Sequence, residues 1–204
     1  KLHPNTIIVD PIDCVRNVIT RSRVCNVLND IIQNICKTSM NSCPFKQPKY
    51  LIVEHTEKIY EKFQQSKLRF PVICKPIEAC GTPNSHSMVV ALSYEGLSLV
   101  HCPCVIQEYW DHSATFYKVY VIDEDVMVYR RPSLPDIQHM SENHTLRSII
   151  FDSRYAYPTI EDFLIPTDIQ QQIDNEHEQH MDQSEYSPLL NLFNHHNNNN
   201  SNNN

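Results

Sequence analysis

Two rhythms of apolar residues divide the chain. From Thr20 to about Thr38, Val24, Val27, Leu28, Ile31, Ile32 and Ile35 recur at the i, i+3, i+4, i+7 spacing of one helical face. Pro44 and Pro48 then mark a loop, and residues 55–66, rich in Glu, Lys and Gln, predict a second helix. After that the rhythm changes. Runs of β-branched and aromatic residues at Phe70–Lys75, Met88–Leu92, Cys104–Tyr109, Ala114–Ile122, Val126–Arg130 and Ser148–Phe151 predict strands. Shorter strand candidates are Thr6–Val9 and Leu51–Val53, and Glu95–Leu99 reads as a short helical link. The pattern predicts an α+β fold with a largely antiparallel sheet and flanking helices.

Beyond residue 166 both rhythms stop. All 17 Lys and Arg lie at or before Arg154, whereas 18 of the 24 acids lie at or before residue 166 and six after it. The body therefore has a net charge of −1 and the tail −6, so the overall −7 does not argue against an anionic ligand in the body. We read 1–166 as the folded region and 167–204, acidic, Gln-rich and closed by an Asn run, as a mostly disordered low-complexity tail. Within the tail, 168–181 is a candidate transient helix. Its one apolar patch, Leu189, Leu190, Leu192 and Phe193, is either a docking motif or a by-product of repeat expansion. No run of 18 apolar residues predicts a membrane span. Scattered basic residues on a nearly neutral body predict no nucleic-acid partner.

Glycine is scarce. Average usage of about 7% would give roughly 14 in a chain of this length, and only Gly81 and Gly96 are present. A dinucleotide fingerprint, a Walker A loop and a nucleophile elbow each need glycines at spacings these two cannot supply. Any phosphate chemistry must use side chains or an unusual loop. Gly96 fits a simple turn before Leu97. The eight cysteines contain no C-x-x-C pair. Cys14, Cys25, Cys36 and Cys74 sit in or beside apolar runs and read as buried thiols. His101-Cys102-Pro103-Cys104 lacks a second ligand pair, so buried strand thiols explain it better than zinc. With no apolar leader at the start of the chain, the expected location is the cytoplasm.

Several polar residues interrupt the strands. Lys75 ends the apolar run Phe70–Cys74, and Lys118 sits inside Phe116–Val121. A buried lysine needs an anionic partner, and a snorkelling edge lysine is the plainer alternative for either one alone. Arg130 and Arg131 close the next strand, where alternation puts one of them on the buried side. The loop Ala79–His86 is polar and holds Gly81, and His86 at its end is placed to donate to a phosphate oxygen. Gln107, Glu108, Tyr109 and Trp110 end a strand in polar and aromatic groups. That order suits a planar ligand as well as an ordinary amphipathic strand end.

Together, FPVICK at 70–75, GTPNSH at 81–86, YKVYV at 117–121 and RRPSL at 130–134 resemble the inositol 1,3,4-trisphosphate 5/6-kinase (inositol-tetrakisphosphate 1-kinase) family, which has the ATP-grasp fold. The resemblance runs in order through residues 3–153. It implies an ATP-grasp-like central nucleotide-binding region. Arg21 matches an ATP-contacting arginine, Lys75 the strand lysine on the nucleotide phosphates, and Gln107 through Trp110 the hinge that reads the adenine edge. Lys118 matches a lysine shared by ATP and the inositol phosphate. His86 and Arg131 match groups facing the inositol phosphates, and Ser133 and Ser153 match serines near the nucleotide. Lys118 and His86 are the expected catalytic groups. Pro83 is an insertion in the family's usual G-T-N-S-H.

The resemblance also implies Mg2+, held in the family by two Asp and an Asn of a C-terminal segment. Ile173-Asp174-Asn175-Glu176 lacks the flanking pattern of that segment, so no residue of this chain is assigned to the metal. The expectation is a chain without the family's N-terminal domain or its metal-binding segment.

The leading functional expectation is a monomeric ATP-dependent kinase that moves the γ-phosphate to a hydroxyl of an inositol tris- or tetrakisphosphate. The alternatives are a nucleotide- or inositol-phosphate-binding module without turnover, and a degenerate gene copy. No pattern around any cysteine would lower a thiol pKa, so the sequence gives no support to cysteine-based covalent catalysis.

Overall fold

Every predicted strand from Leu51 onward is present. The computed structural model describes residues 6–7, 10–38, 43–138 and 146–165. The proposed tail, its helix and its apolar patch lie outside the described residues, as do two of the four positions of the Thr6–Val9 strand; Thr6 and Ile7 are not in a strand.

Five strands form one sheet. They are β1 (Tyr50–Val53), β2 (Val72–Pro76), β3 (Ser87–Ala91), β4 (Cys104–Glu108) and, after a hairpin described below, β7 (Ile149–Asp152), in the order β1-β4-β2-β3-β7. All neighbours are antiparallel. Alternation along each strand then separates two faces.

On one face Val53, Val72, Cys74, Val89, Ala91, Cys104 and Ile106 form a core with Leu97 and Val100. Ile59 and Phe63 of helix α3 (Ile59–Gln65), which continues a 3-10 turn at Thr56–Lys58, complete it. Phe63 stacks on Phe70 with ring centroids 4.7 Å apart, and Tyr94 meets both rings edge-on. On the opposite face Val90, with Ile73 and Ile149 beside it, packs against Tyr109, Leu134, Ile137 and Phe163. Phe163 ends the short helix α4 (Ile160–Phe163), whose first turn is closed by a reciprocal Thr159–Asp162 capping box.

Gly96 is buried in the 3-10 turn Glu95–Leu99, where a Cβ would lie 2.0 Å from Ser148 Oγ. Close packing therefore requires this glycine; the expected simple turn does not. Gly81 takes φ +88, the left-handed region that favours glycine.

Two helices precede the sheet: α1 (Ile12–Val18) and α2 (Arg21–Thr38). The α2 boundaries match the predicted ones, but its apolar stripe is narrower. Cys25 is buried and Val24, Leu28, Ile32 and Ile35 are half-buried, while Val27 and Ile31 face solvent. Cys36 on α2 and Cys14 on α1 are exposed, so the reading of them as buried thiols is corrected. No residue of α1 is buried: its apolar side chains Ile12, Val15 and Val18 are exposed, and a seven-residue helix is too short to stand out as a periodic run.

The remaining strands, β5 (Thr115–Ile122) and β6 (Asp125–Pro132), pair only with each other. This hairpin is exposed over most of its length: Tyr117 and Val121 are each 64% accessible and Val128 57%.

Candidate functional site

The site begins where α2 meets the sheet. Arg21 is the first residue of that helix, and its amide donates to Ile77 O at 2.7 Å. Its guanidinium donates to the carbonyls of Pro76 (2.8 Å), Glu78 (2.5 Å) and Ser85 (2.9 Å). Arg21 thus pins the loop between β2 and β3. Burial lowers its pKa. No acid sits in the first turn of α2, so a cation stands at the positive end of the helix dipole.

Lys75, on β2, lies on the α2-facing side of the sheet. Its ammonium donates to Gln107 Oε1 at 2.7 Å, and Gln107 Nε2 reaches Cys25 Sγ at 3.6 Å. Burial first, and then the Arg21 charge, hold the Lys75 pKa below the ordinary lysine value. Burial raises the Cys25 thiol pKa, against the opposing pull of Lys75. Among the described residues neither Lys75 nor Arg21 forms an ion pair with a carboxylate. Two neighbouring cations are held with neutral partners only.

Arg21, Lys75, Gln107 and Cys25 line a cavity of about 440 Å3. A neighbouring cavity of about 630 Å3 is lined by Ile32, Tyr50, Glu108 and Trp110. The segment Phe45–Pro48 borders both cavities, and we term the two together the trough.

Glu108 is fixed at the far end. Its carboxylate accepts from Lys49 Nζ (2.9 Å), the Lys49 amide (3.0 Å) and Trp110 Nε1 (3.2 Å). Burial alone would raise its pKa, but the Lys49 hydrogen bonds hold the carboxyl below the usual range. Tyr109 points the other way. Its ring packs in the second core, its hydroxyl donates to Pro135 O at 2.5 Å, and its carbonyl accepts from Gln138. Of the four expected hinge residues, Gln107, Glu108 and Trp110 line the trough and the Tyr109 side chain does not.

The loop before β3 ends in a 3-10 turn, Pro83–His86, so Pro83 is accommodated as its first residue. His86 Nδ1 lies 3.2 Å from Ser153 Oγ, and the Ser153 amide donates to His86 O at 3.0 Å. Asp152, next to Ser153, is held near pKa 2 chiefly by hydrogen bonds from Arg154.

Register sorts the hairpin's cations. Lys118 pairs with Tyr129 and Phe116 with Arg131, so Lys118 and Arg131 share a face, whereas Arg130, paired with Tyr117, lies on the other. The Lys118 face turns toward the second core at its base, where the Phe116 and Tyr157 rings meet at 6.0 Å and Tyr157 meets Phe151 at 5.8 Å.

Paired carboxylates fasten that base. Asp136 accepts from the amides of His112 (2.8 Å), Ser113 (3.1 Å) and Ala114 (3.4 Å). Asp111 accepts from those of Ile137 (3.0 Å) and Gln138 (3.3 Å). Ser133 is engaged there too: its hydroxyl lies 2.6 Å from His112 Nε2, and its amide donates to Ala114 O at 2.9 Å.

The structure thus groups Arg21 with Lys75 and Gln107, Glu108 with Trp110, His86 with Ser153, and Lys118 with Arg131. Sequence reading missed Cys25, Gln47, Lys49 and the Asp111–Asp136 clasp. None carries a motif; only the fold brings them to the trough and the hairpin base.

Comparison with known proteins bears on the family of the chain. The family described as "Inositol 1,3,4-trisphosphate 5/6-kinase ATP-grasp domain" matches residues 39–184. An inositol-tetrakisphosphate 1-kinase of Xenopus laevis is 37% identical over 151 residues, 74% of this chain and 37% of that protein. One of Danio rerio is 32% identical over 154 residues, 76% of this chain and 37% of that protein. Inositol-tetrakisphosphate 1-kinase 2 of Glycine max is 31% identical over 162 residues, 78% of this chain and 50% of that protein. The chain therefore spans between about a third and a half of the length of these relatives. With its antiparallel sheets and flanking helices, it belongs to the inositol 1,3,4-trisphosphate 5/6-kinase ATP-grasp family.

Proposed function

We propose that this chain is the nucleotide-holding part of an ATP-dependent inositol polyphosphate kinase, which moves the γ-phosphoryl group of ATP to a hydroxyl oxygen of an inositol tris- or tetrakisphosphate. The observation that carries the reading is the Lys75–Arg21 pair, two neighbouring cations with no carboxylate partner among the described residues. A fold that leaves two desolvated cations side by side pays an electrostatic penalty, and an oligophosphate relieves it. Lys75 and Arg21 would hold the nucleotide phosphates. Gln107, bonded to Lys75, would lead from the phosphates to the adenine end, which Glu108 and Trp110 would border, and Ser133 and Ser153 would stand near the nucleotide.

On the acceptor side we assign Lys118, Arg131 and His86. Lys118 and Arg131 present two cations on one face of a hairpin, and the Ser153 contact orients the His86 ring. Phosphoryl transfer depends on positioning and on neutralising spread negative charge more than on covalent help from the protein. Strand lysines and separate arginine guanidinium groups supply that without a glycine-built loop. Magnesium, when bound, adds positive charge at the phosphates. Among the described residues no three His, Cys, Asp or Glu side chains converge to hold it, and no step is routed through it. No described helix is long and apolar enough to cross a membrane, in keeping with a proposed cytoplasmic place of action.

The test is transfer from Mg-ATP to inositol tris- and tetrakisphosphates, with Lys75→Ala and Lys118→Ala alongside. Loss of the transfer rate in both variants supports the assignment, and an unchanged rate contradicts it. Calorimetry with each ligand separates binding from turnover.

A further inference from the structure

Three cysteines stand apart from the nucleotide cations, on the α3-facing side of the sheet. Cys104 opens β4 opposite Pro76 of β2, so it shares a face with Cys74, two residues earlier on that strand. Cys102 lies in the bend that leads into β4, and its sulfur is 3.8 Å from that of Cys104. All three line a cavity of about 370 Å3, together with His101, Glu78 and Asn84. They are not alike. Cys74 and Cys104 are buried, whereas Cys102 is half-buried. Burial first, and then the Cys102 and Cys74 sulfurs beside it, push the Cys104 thiol pKa up. Cys104 therefore keeps its proton, and its S–H donates to the more exposed Cys102 sulfur. Among the described residues no three His, Cys, Asp or Glu side chains converge to hold a metal, so the chemistry open to the pair is that of two sulfurs.

We propose that Cys102 and Cys104 form an oxidative modification site, a thiol pair that hydrogen peroxide converts to a disulfide. In the first step the Cys102 sulfur attacks the peroxide. An S–O bond forms as the O–O bond breaks, water leaves with the Cys102 proton, and Cys102 holds a sulfenic acid. In the second step the Cys104 sulfur attacks the Cys102 sulfur. The S–S bond forms as S–O breaks, and the departing hydroxide takes the Cys104 proton to become water. The two thiols lose two electrons and two protons, and one peroxide becomes two waters. The sulfurs close from 3.8 Å to the ~2.0 Å of a disulfide, and the ring so formed contains the Pro103 backbone. Pro103 O accepts from the Ile77 amide at 2.9 Å, and Ile77 O accepts from the Arg21 amide at 2.7 Å. Oxidation on one face of the sheet thus disturbs the backbone that anchors Arg21 on the other. This chemistry does not depend on the nucleotide role of the trough.

The experiment treats the full chain with hydrogen peroxide, unfolds it in the presence of a thiol-alkylating reagent and maps its chymotryptic peptides by mass spectrometry. Cleavage after Tyr94 or Leu99 separates Cys74 from Cys102 and Cys104. The expected result is a peptide that carries both residues, lighter by two hydrogen atoms and closed to alkylation until a dithiol reductant reopens it. Cys104→Ala should stop at the Cys102 sulfenic acid, captured by a 1,3-dicarbonyl probe, and Cys102→Ser should leave Cys104 open to alkylation. Hydrogen exchange at the Ile77 and Arg21 amides, followed by NMR, should speed up by about tenfold or more in the oxidised wild type and stay unchanged in peroxide-treated Cys102→Ser. If Cys102 and Cys104 both remain open to alkylation in the wild type while the exposed Cys14, Cys36 and Cys80 are oxidised, the proposal is overturned. A bridge from Cys102 to Cys74 overturns it as well. A Cys102–Cys104 disulfide that leaves exchange at Ile77 and Arg21 unchanged overturns the link to the Arg21 anchor.

Discussion

The five-stranded sheet and the β5–β6 hairpin are written in the same alphabet and fold to opposite ends of the burial scale. Val72, Val90 and Val105 in the sheet are fully buried, whereas Val119, Val126 and Val128 in the hairpin are more than half exposed. The sheet is covered on one face by α3 and its flanking turns, and on the other by the second core, with α2 reaching it at Arg21 and Cys25. The hairpin has no strand neighbour beyond its own pair among the described residues, and a two-stranded unit gains little from burial alone. Its position comes from its base, where Asp111 and Asp136 hold backbone amides on either side and Phe116 leans on Tyr157. The two regions also carry their cations differently. Lys75 is set within a packed face, and Lys118 stands in solvent on a tethered arm.

The sharpest contrast is expected in stability. Truncating Phe63 to Ala should cost about 3–5 kcal/mol in urea unfolding, and Val128→Ala within about 0.5 kcal/mol. Equal costs would show that the hairpin is buried in solution and would break the contrast. Gly96→Ala belongs with the sheet: its Cβ collides with Ser148, and a loss of about 1–3 kcal/mol is expected from overpacking.

Next in size is the fastening of the hairpin. Asp136→Ala removes the acceptor for three amides. Hydrogen exchange at residues 112–122 should speed up by about tenfold or more while the amides of β2 and β4 keep their protection. A uniform change across both regions would show that they open together.

The two arginines at the end of β6 give a smaller, more pointed comparison. Arg131→Ala should weaken inositol tris- or tetrakisphosphate binding by about tenfold, the loss of one charge-assisted contact. Arg130→Ala, on the opposite face, should change it less than twofold. Equal losses would contradict the facing read from the register.

The smallest effect concerns pH. The folded-state pKa of Lys75 lies below its unfolded value, so between the two the unfolded chain binds more protons and stability rises with pH. Ligand-free wild type should therefore gain stability on the alkaline side as pH rises through the folded Lys75 pKa toward about 10.4. Lys75→Met should lack that rise, as measured by denaturation at a series of pH values.

Much of the architecture was legible in the chain. The strands around Lys75, Gln107 and Lys118 announce themselves by β-branched and aromatic runs, and α2 by its 3.6-residue spacing. Alternation alone does not say which strands share a sheet. Val119 and Val121 read like core residues, and only the lack of a long-range strand partner among the described residues leaves them on a separate hairpin. Cys14 and Cys36 misled for the same reason, since neighbouring apolar residues signal burial only where a second element covers them. The site was legible where one residue type is costly in its setting, as with a lysine in an apolar strand. It was silent where function comes from placement: Lys49 before Tyr50 looks like any loop residue yet holds Glu108, and Asp111 and Asp136 find their backbone partners only in the folded chain.

The central claim is that the Lys75–Arg21 pair is an anion site built into the packed face. Titration calorimetry of ATP into the wild type and Lys75→Met, with a melting curve of each, tests it most directly. The expected result is saturable binding by the wild type, at least tenfold weaker binding by Lys75→Met, and a melting temperature of the variant no lower than that of the wild type, because an unneutralised cation has been removed. Unchanged ATP affinity in a well-folded Lys75→Met would contradict the claim.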